Sequence, residues 1–474
     1  MNDLHYISAT EALARFRRGD LSPVEVLDAV LARADEVEPD VNAFTEQMRE
    51  EAYVAARESE RRYRDRDAEI RPLEGVPLAL KEEQPIAGRL IEEGSLLEQG
   101  VVADVTHPVV SRVVAAGAVV HARTTTPEFS CAPFTHSKLW GVTRNPWNTA
   151  FSPGGSSGGA GASLAAGTTV LATGSDIGGS IRIPSSLCGV VGFKAPFGRI
   201  PGLAPFNLDS YCADGPMGRS VADVARLQDV LAGPWAGDQA SLRPTYHLGE
   251  VDDQVEGMRV ALCVRLGDFP VEPVVEANTR AAADALRGAG VHVEEVELPW
   301  RREVILAAAW AHFGSIFGAF VDSIAGDDAE LLMPYTRAFA ARATAHGDTA
   351  SRLAGLAAET EVYRPLGDLL DSHDALLCPT IGTEGLVAGD DYVDAVVRID
   401  GGDHAWEDAL MTIPFNVIGR VPVLSVPSGL ASNGVPTGVQ IVGRTYDDRT
   451  VFRLGAALER QQPRWGDATW RPTL

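Results

Sequence analysis

Lysine is nearly absent from this chain. Of 41 basic residues only Lys81, Lys138 and Lys194 are lysines, and arginine carries the remaining positive charge. Arginine stays protonated in a protein, whereas a desolvated lysine can shed its proton near neutral pH and act as a base. Lys81 closes the apolar stretch GVPLALK (75–81), which makes it a candidate base rather than a generic cation. Cysteine is scarce as well. The five cysteines have no CxxC spacing and read as buried thiols in a reducing compartment, not as a disulfide framework. The ten histidines form no HExxH and no paired spacing with cysteine, so neither a metal nor a cofactor is expected. Positive charge is in deficit overall. A net charge of −24 argues against a nucleic-acid partner, because phosphate binding needs a basic surface. No run of about 18 consecutive apolar residues occurs, and the N-terminus lacks a charged-then-apolar leader, so no membrane partner and a cytoplasmic location are expected.

What is present suits a large folded core: 474 residues, 45% of them hydrophobic. Residues 8–65 carry helical periodicity, with Asp20-Leu21-Ser22-Pro23 as a cap before a second helix. Beyond Pro72 the period changes. GVPLALK and GAVVHART (117–124) are short apolar strand patterns separated by the helix-like HPVVSRVVAAG (107–117). Strand, helix and strand recur over 258–298, and DALLCPT (374–380), VPVLSVPSG (421–429) and GVQIVG (438–443) are further buried-strand patterns. The expected class is α/β: one large α/β/α domain over 66–474 with a mixed, mostly parallel sheet covered by helices. An N-terminal helical arm (1–65) would pack on it, and residues 302–371 would form a variable helical segment.

Residues 152–184 hold nine glycines and six serines in 33 positions. Glycine accepts backbone conformations that let successive amides converge, so Asp176-Ile177-Gly178-Gly179-Ser180 suits a hydroxyl nucleophile beside oxyanion donors. Gly154-Gly155-Ser156-Ser157-Gly158 matches G-x-S-x-G, but the preceding NPWNTAFSP is no buried strand, as that nucleophile elbow requires. No Walker-type lysine follows the glycines, so phosphate cradling is not expected.

GGSSGG, GSDIGGSIRIPSSLCGVVGFK and the upstream GVPLALK together resemble the amidase signature family of serine hydrolases, over nearly the whole chain. The family's spacing of 24 residues between its two serines is the spacing of Ser156 and Ser180. The resemblance implies Ser180 as nucleophile, Ser156 after a cis bond from Gly155 as bridging serine, and Lys81, neutral at rest, as terminal base. It implies an oxyanion hole from the amides of Ile177, Gly178, Gly179 and Ser180. Asp176, Arg182, Gly155 and Ser157 would support these residues, and Cys131, Phe134, Trp140, Phe313 and Phe317 would line the pocket. The implied activity is hydrolysis of a small or aryl-bearing amide, carbamate or ester, without cofactor, with a homodimer as the oligomer to test. Two other readings stay open: the glutaminase subunit of a tRNA-dependent amidotransferase, and a non-catalytic scaffold on the same fold. The amidotransferase branch has Gln where this chain has Ile183. Glu82-Glu83 replaces the family's Asp-Asn after the lysine, and at least one of these glutamates is expected to face away from Lys81. Ser175 reads as structural, Lys194 as a structural or surface cation, and Lys138 as a surface cation. Trp310, Phe313, Phe317 and Phe320 recur at helical spacing, which suits either a core stripe or the wall of an apolar tunnel.

Overall fold

Local signals start the fold. The Ser22 hydroxyl accepts the Glu25 N–H while the Glu25 carboxylate accepts that of Ser22, and Pro23 opens the helix Pro23–Val41. The helices Ala9–Arg18 and Arg49–Arg64 complete the arm. One segment of it departs from the helical expectation: Phe44–Gln47 is a strand at the sheet edge, antiparallel to residues 119–124. The computed structural model describes residues 3–462 and 469–474.

The sheet has eleven strands: β1 (Phe44–Gln47), β2 (Pro77–Lys81), β3 (Val119–Thr124), β4 (Leu171–Asp176), β5 (Val191–Lys194), β6 (Ala213–Gly218), β7 (Arg259–Leu262), β8 (His292–Glu295), β9 (Ala375–Pro379), β10 (Val423–Leu430) and β11 (Pro436–Gly443). Their order is β1-β3-β2-β4-β6-β5-β10-β11-β9-β7-β8. The sheet is mixed, as expected. Parallel pairing joins β3, β2 and β4 on one flank and β9, β7 and β8 on the other. The pairs between these groups, and the β1 edge, are antiparallel. The division follows connection chemistry, since parallel neighbours need a crossover and helices supply it. Helix Pro108–Ala115 lies between β2 and β3, and helix Pro273–Gly288 between β7 and β8. The β10–β11 hairpin needs no crossover and runs antiparallel.

Strands β2 and β3 are buried along their whole length; β2 is apolar up to Lys81, whereas β3 buries His121, Arg123 and Thr124 beside its valines and alanine. The register sets Leu78 beside Leu171 and Ala79 beside Ala172, so the carboxyl ends of β2 and β4 reach the same sheet edge. Helices Gly158–Ala166 and Arg182–Cys188 start close to that edge. The sequence patterns did not mark these two helices or β4 and β6, because glycine and serine hide the periodicity. The stretch Arg302–Ala325 is apolar and long enough to cross a membrane, but 67% of its most apolar window is buried inside the protein, as in a core helix.

Candidate active site

Lys81 ends β2 with no solvent exposure. Its Nζ lies 2.7 Å from Ser156 Oγ, 2.8 Å from Ser175 Oγ and 3.1 Å from Glu83 Oε2. The Ser130 hydroxyl donates to the same Glu83 oxygen. Glu82 points the other way, as expected for one of the pair. Its carboxylate accepts the N–H groups of Glu92 (2.8 Å) and Glu93 (3.1 Å) and sits 3.6 Å from Arg123, and burial pushes it up to about 7. Glu83 instead faces the lysine. Burial opposes its charge, but Lys81 and the Ser130 and Ser175 hydroxyls outweigh burial and hold its carboxyl below the usual range.

The Gly155–Ser156 peptide is cis, as the resemblance implies. No larger residue fits at 155, because a Cβ there would lie 2.5 Å from the carbonyl oxygens of Ala132 and Phe134. The Ser157 N–H donates to the Ser180 carbonyl at 3.1 Å, which ties the Ser156 segment to the Ser180 segment. Ser156 and Ser180 are both buried, at 1% and 7% exposure.

The implied oxyanion donors need one correction. The Gly179 N–H is already taken by Asp176 Oδ1 at 2.9 Å, so it is withdrawn from the set. The N–H groups of Ile177, Gly178 and Ser180 have no protein acceptor among the described residues and remain available. Gly179 has φ +130°, and a Cβ there would lie 2.2 Å from Thr412 Oγ1, so glycine is required for a different reason: it lets the loop turn under Thr412.

Asp176 and Arg182 hold that loop. They pair at 2.8 Å with neither side chain exposed. Asp176 also accepts from the N–H of Ile181 and from Asn416 Nδ2, while Arg182 reaches Gln440 Oε1, Asn416 Oδ1 and the Thr412 carbonyl. Burial again opposes the Asp176 charge, and the Arg182 guanidinium with its hydrogen bonds overrides it, holding the carboxyl low.

Two cavities meet at the serines. A small one of about 50 Å³ touches Ser180 and is walled by Cys131, Leu306, Trp310, Phe313, Phe317 and Phe339. A larger one of about 300 Å³ touches Ser156 and carries Glu83, Glu93, His107 and Asp214. Ser130, Ile177 and Phe317 border both, so the two adjoin. Burial and the charges of Glu82 and Glu83 push Glu93 up to about 8. Among the described residues, neither cavity has a lysine or arginine in its wall.

The structure therefore brings Cys131, Phe313 and Phe317 to the nucleophile, and part of the aromatic stripe lines a cavity. Phe134 borders a neighbouring cavity with Tyr335 and Phe339, because its ring stacks on His136 instead. Trp140 is not brought to the site: its ring packs near Gly94 and its carbonyl accepts from Asn42. Lys138 donates to the Leu331 and Leu332 carbonyls, away from the serines. Lys138 is exposed, as read, whereas Lys194 takes the structural of its two readings: it is buried and donates to the Ala195 and Gly419 carbonyls. Ser175 and Glu83 are the residues whose contacts sequence reasoning missed. Their signal was position alone: Ser175 one residue before the end of β4, Glu83 two residues after Lys81. Among the described residues, no group of three or more His, Cys, Asp and Glu side chains is arranged to hold a metal ion.

The Amidase family matches residues 25–452. Among similar sequences, a glutamyl-tRNA(Gln) amidotransferase subunit of Chloroflexus aggregans is 31% identical over 97% of each chain. The acylamidase of Rhodococcus erythropolis is 32% identical over 98% of this chain and 97% of its own. Among solved structures, a bacterial aryl acylamidase of the amidase signature enzymes superposes with a TM-score of 0.90. It is 27% identical and covers 98% of this chain and 97% of its own.

Proposed function

The chain belongs to the Amidase family, and from that premise we propose that it hydrolyses small amides with an apolar or aryl acyl group through an acyl-enzyme on Ser180. The Ser180 oxygen bonds to the carbonyl carbon as its proton passes to Ser156, whose own proton passes to Lys81. The carbonyl oxygen gains the negative charge and takes the free N–H groups of Ile177, Gly178 and Ser180. The carbon–nitrogen bond then breaks, and the proton returns through Ser156 to the departing amine. Water repeats the sequence on the ester, releasing the acid and restoring Ser180.

The observation that carries the substrate class is the aromatic wall around Ser180, formed by Trp310, Phe313, Phe317 and Phe339. It favours burial of an apolar acyl group by the hydrophobic effect and ring–ring contact. Esters and carbamates pass through the same tetrahedral step and are expected as secondary substrates. The glutaminase reading takes its support from relatives such as the Chloroflexus amidotransferase. It fits the site less well, because glutamine would bring a carboxylate into cavities whose walls hold no lysine or arginine among the described residues. Ile183 also borders the apolar cavity, so the wall stays greasy at the position where that branch has Gln.

Purified protein assayed alone against an aryl-acyl anilide, a short aliphatic amide, a carbamate and glutamine tests the reading. Turnover of the anilide above the others is expected. Glutamine hydrolysis with no anilide turnover would overturn it.

A further inference from the structure

Lys81 is implied to be neutral at rest, yet its surroundings are those of an ammonium. Three oxygens lie within 3.1 Å of Nζ: Ser156 Oγ, Ser175 Oγ and Glu83 Oε2. An ammonium has three N–H donors and no lone pair, so these three acceptors satisfy it completely. A neutral amine has two donors and one lone pair, so one neighbour would have to donate a hydrogen bond to it, which of the three only the serine hydroxyls can do. A carboxylate cannot supply one, and it favours the charged form of an amine it touches.

We propose that Glu83 is a positioning residue that keeps Lys81 protonated in the resting enzyme, so that the Ser156–Ser180 relay opens only when the Lys81–Glu83 pair loses one proton. This rests on the relay proposed above. The proton leaves to water in the larger cavity, which Glu83 borders. Lys81 is then a free amine, takes the Ser156 proton as Ser156 takes that of Ser180, and later returns it through Ser156 to the leaving amine.

The other titratable groups around the pair act in the same direction or are already occupied. Glu93 and Asp214 border the same cavity and add negative charge as they ionise. His107 lies 3.6 Å from Asp214 and is lowered by burial, so it stays neutral above ordinary imidazole values. Cys212 is pushed well up by burial and by its acidic neighbours, and stays a thiol. Glu82 is turned away onto Arg123 and the 92–93 backbone. The Ser130 hydroxyl fixes the Glu83 carboxylate in place.

The scarcity of lysine makes the test direct. With ε-13C-lysine labelling only three side-chain signals exist, and Lys81→Ala assigns the one of interest. In the wild-type enzyme Lys81 is expected to show ammonium shifts at pH 7, and a neutral-amine shift there would overturn the proposal. In Glu83→Gln the acid limb of kcat/KM on an anilide should move down by about one pH unit, so activity below the limb rises about tenfold relative to the variant's own plateau. An unmoved limb, or one displaced to higher pH, would also overturn it; the second result would make Glu83 the acceptor of the lysine proton. Lys81→Ala separates the two layers. If it keeps wild-type turnover, the relay itself fails; if it is inactive while the Glu83→Gln limb stays put, only the role of Glu83 fails.

Discussion

Two buried ion pairs stand beside the same nucleophile, and they are built for opposite ends. Asp176–Arg182 is closed on every side: both side chains are fully buried and bonded to backbone amides, Asn416, Gln440 and a carbonyl. Lys81–Glu83 is ringed by three serine hydroxyls and borders a cavity, with Glu83 20% exposed. The first pair uses arginine, which keeps its proton, and so fixes the loop that aims the amides of Ile177, Gly178 and Ser180. The second uses lysine, which can give its proton up. In a chain with 38 arginines and three lysines, one of the three stands where the chemistry needs a removable proton.

The largest effect should come from breaking the closed pair. Arg182→Met leaves Asp176 buried and unpaired, and a loss of about 3–5 kcal/mol in urea-induced unfolding is expected. Lys81→Met should lose far less stability, because water in the cavity reaches Glu83, while abolishing turnover. Equal stability losses would erase the distinction. Next comes Gly179→Ala, whose Cβ meets Thr412 and tilts the donor loop. A fall in kcat on the order of 10²–10³ with the fold intact is expected, the size associated with a misplaced oxyanion donor. Phe313→Ala should raise KM for aryl-acyl substrates about tenfold, the scale of a reshaped apolar pocket, and leave a short aliphatic amide almost unchanged. Equal change for both would remove the cavity from substrate selection. A pH effect is expected at Glu93. Its carboxyl rises from 4.5 to about 8 on folding, so the folded state holds the proton more tightly. That contribution is present below 4.5 and is lost as pH rises toward 8. The Tm advantage of Glu93→Gln should therefore grow over that window, and a pH-independent difference would contradict the assignment.

Much of this was legible in the sequence, and the limits have physical causes. The strands at 77–81 and 119–124 declared themselves because each opens on a short apolar β-type run, PLAL and VV, and is buried along its length. The spacing of Ser156 and Ser180 and the isolated Lys81 marked the reaction centre because such chemistry tolerates few substitutes. The inward turn of Glu83 was hidden, since a residue past a strand end can face either way and its partners Ser130 and Ser175 come from distant segments. The amide of Gly179 was misassigned for a related reason: a row of glycines shows where N–H groups can gather, not which of them a neighbouring carboxylate has taken. Trp140 was expected in the pocket from the resemblance, and the fold brings Cys131 to the nucleophile while Trp140 packs near Gly94.

A mechanism-based fluorophosphonate, followed by peptide mapping of the adduct, tests the nucleophile most directly. The relay predicts a single adduct on Ser180, formed by the wild-type enzyme and lost in Lys81→Ala and Ser156→Ala. An adduct on Ser156, on Ser175 or on any other residue, or full amide turnover by an enzyme that takes up no label, would contradict it.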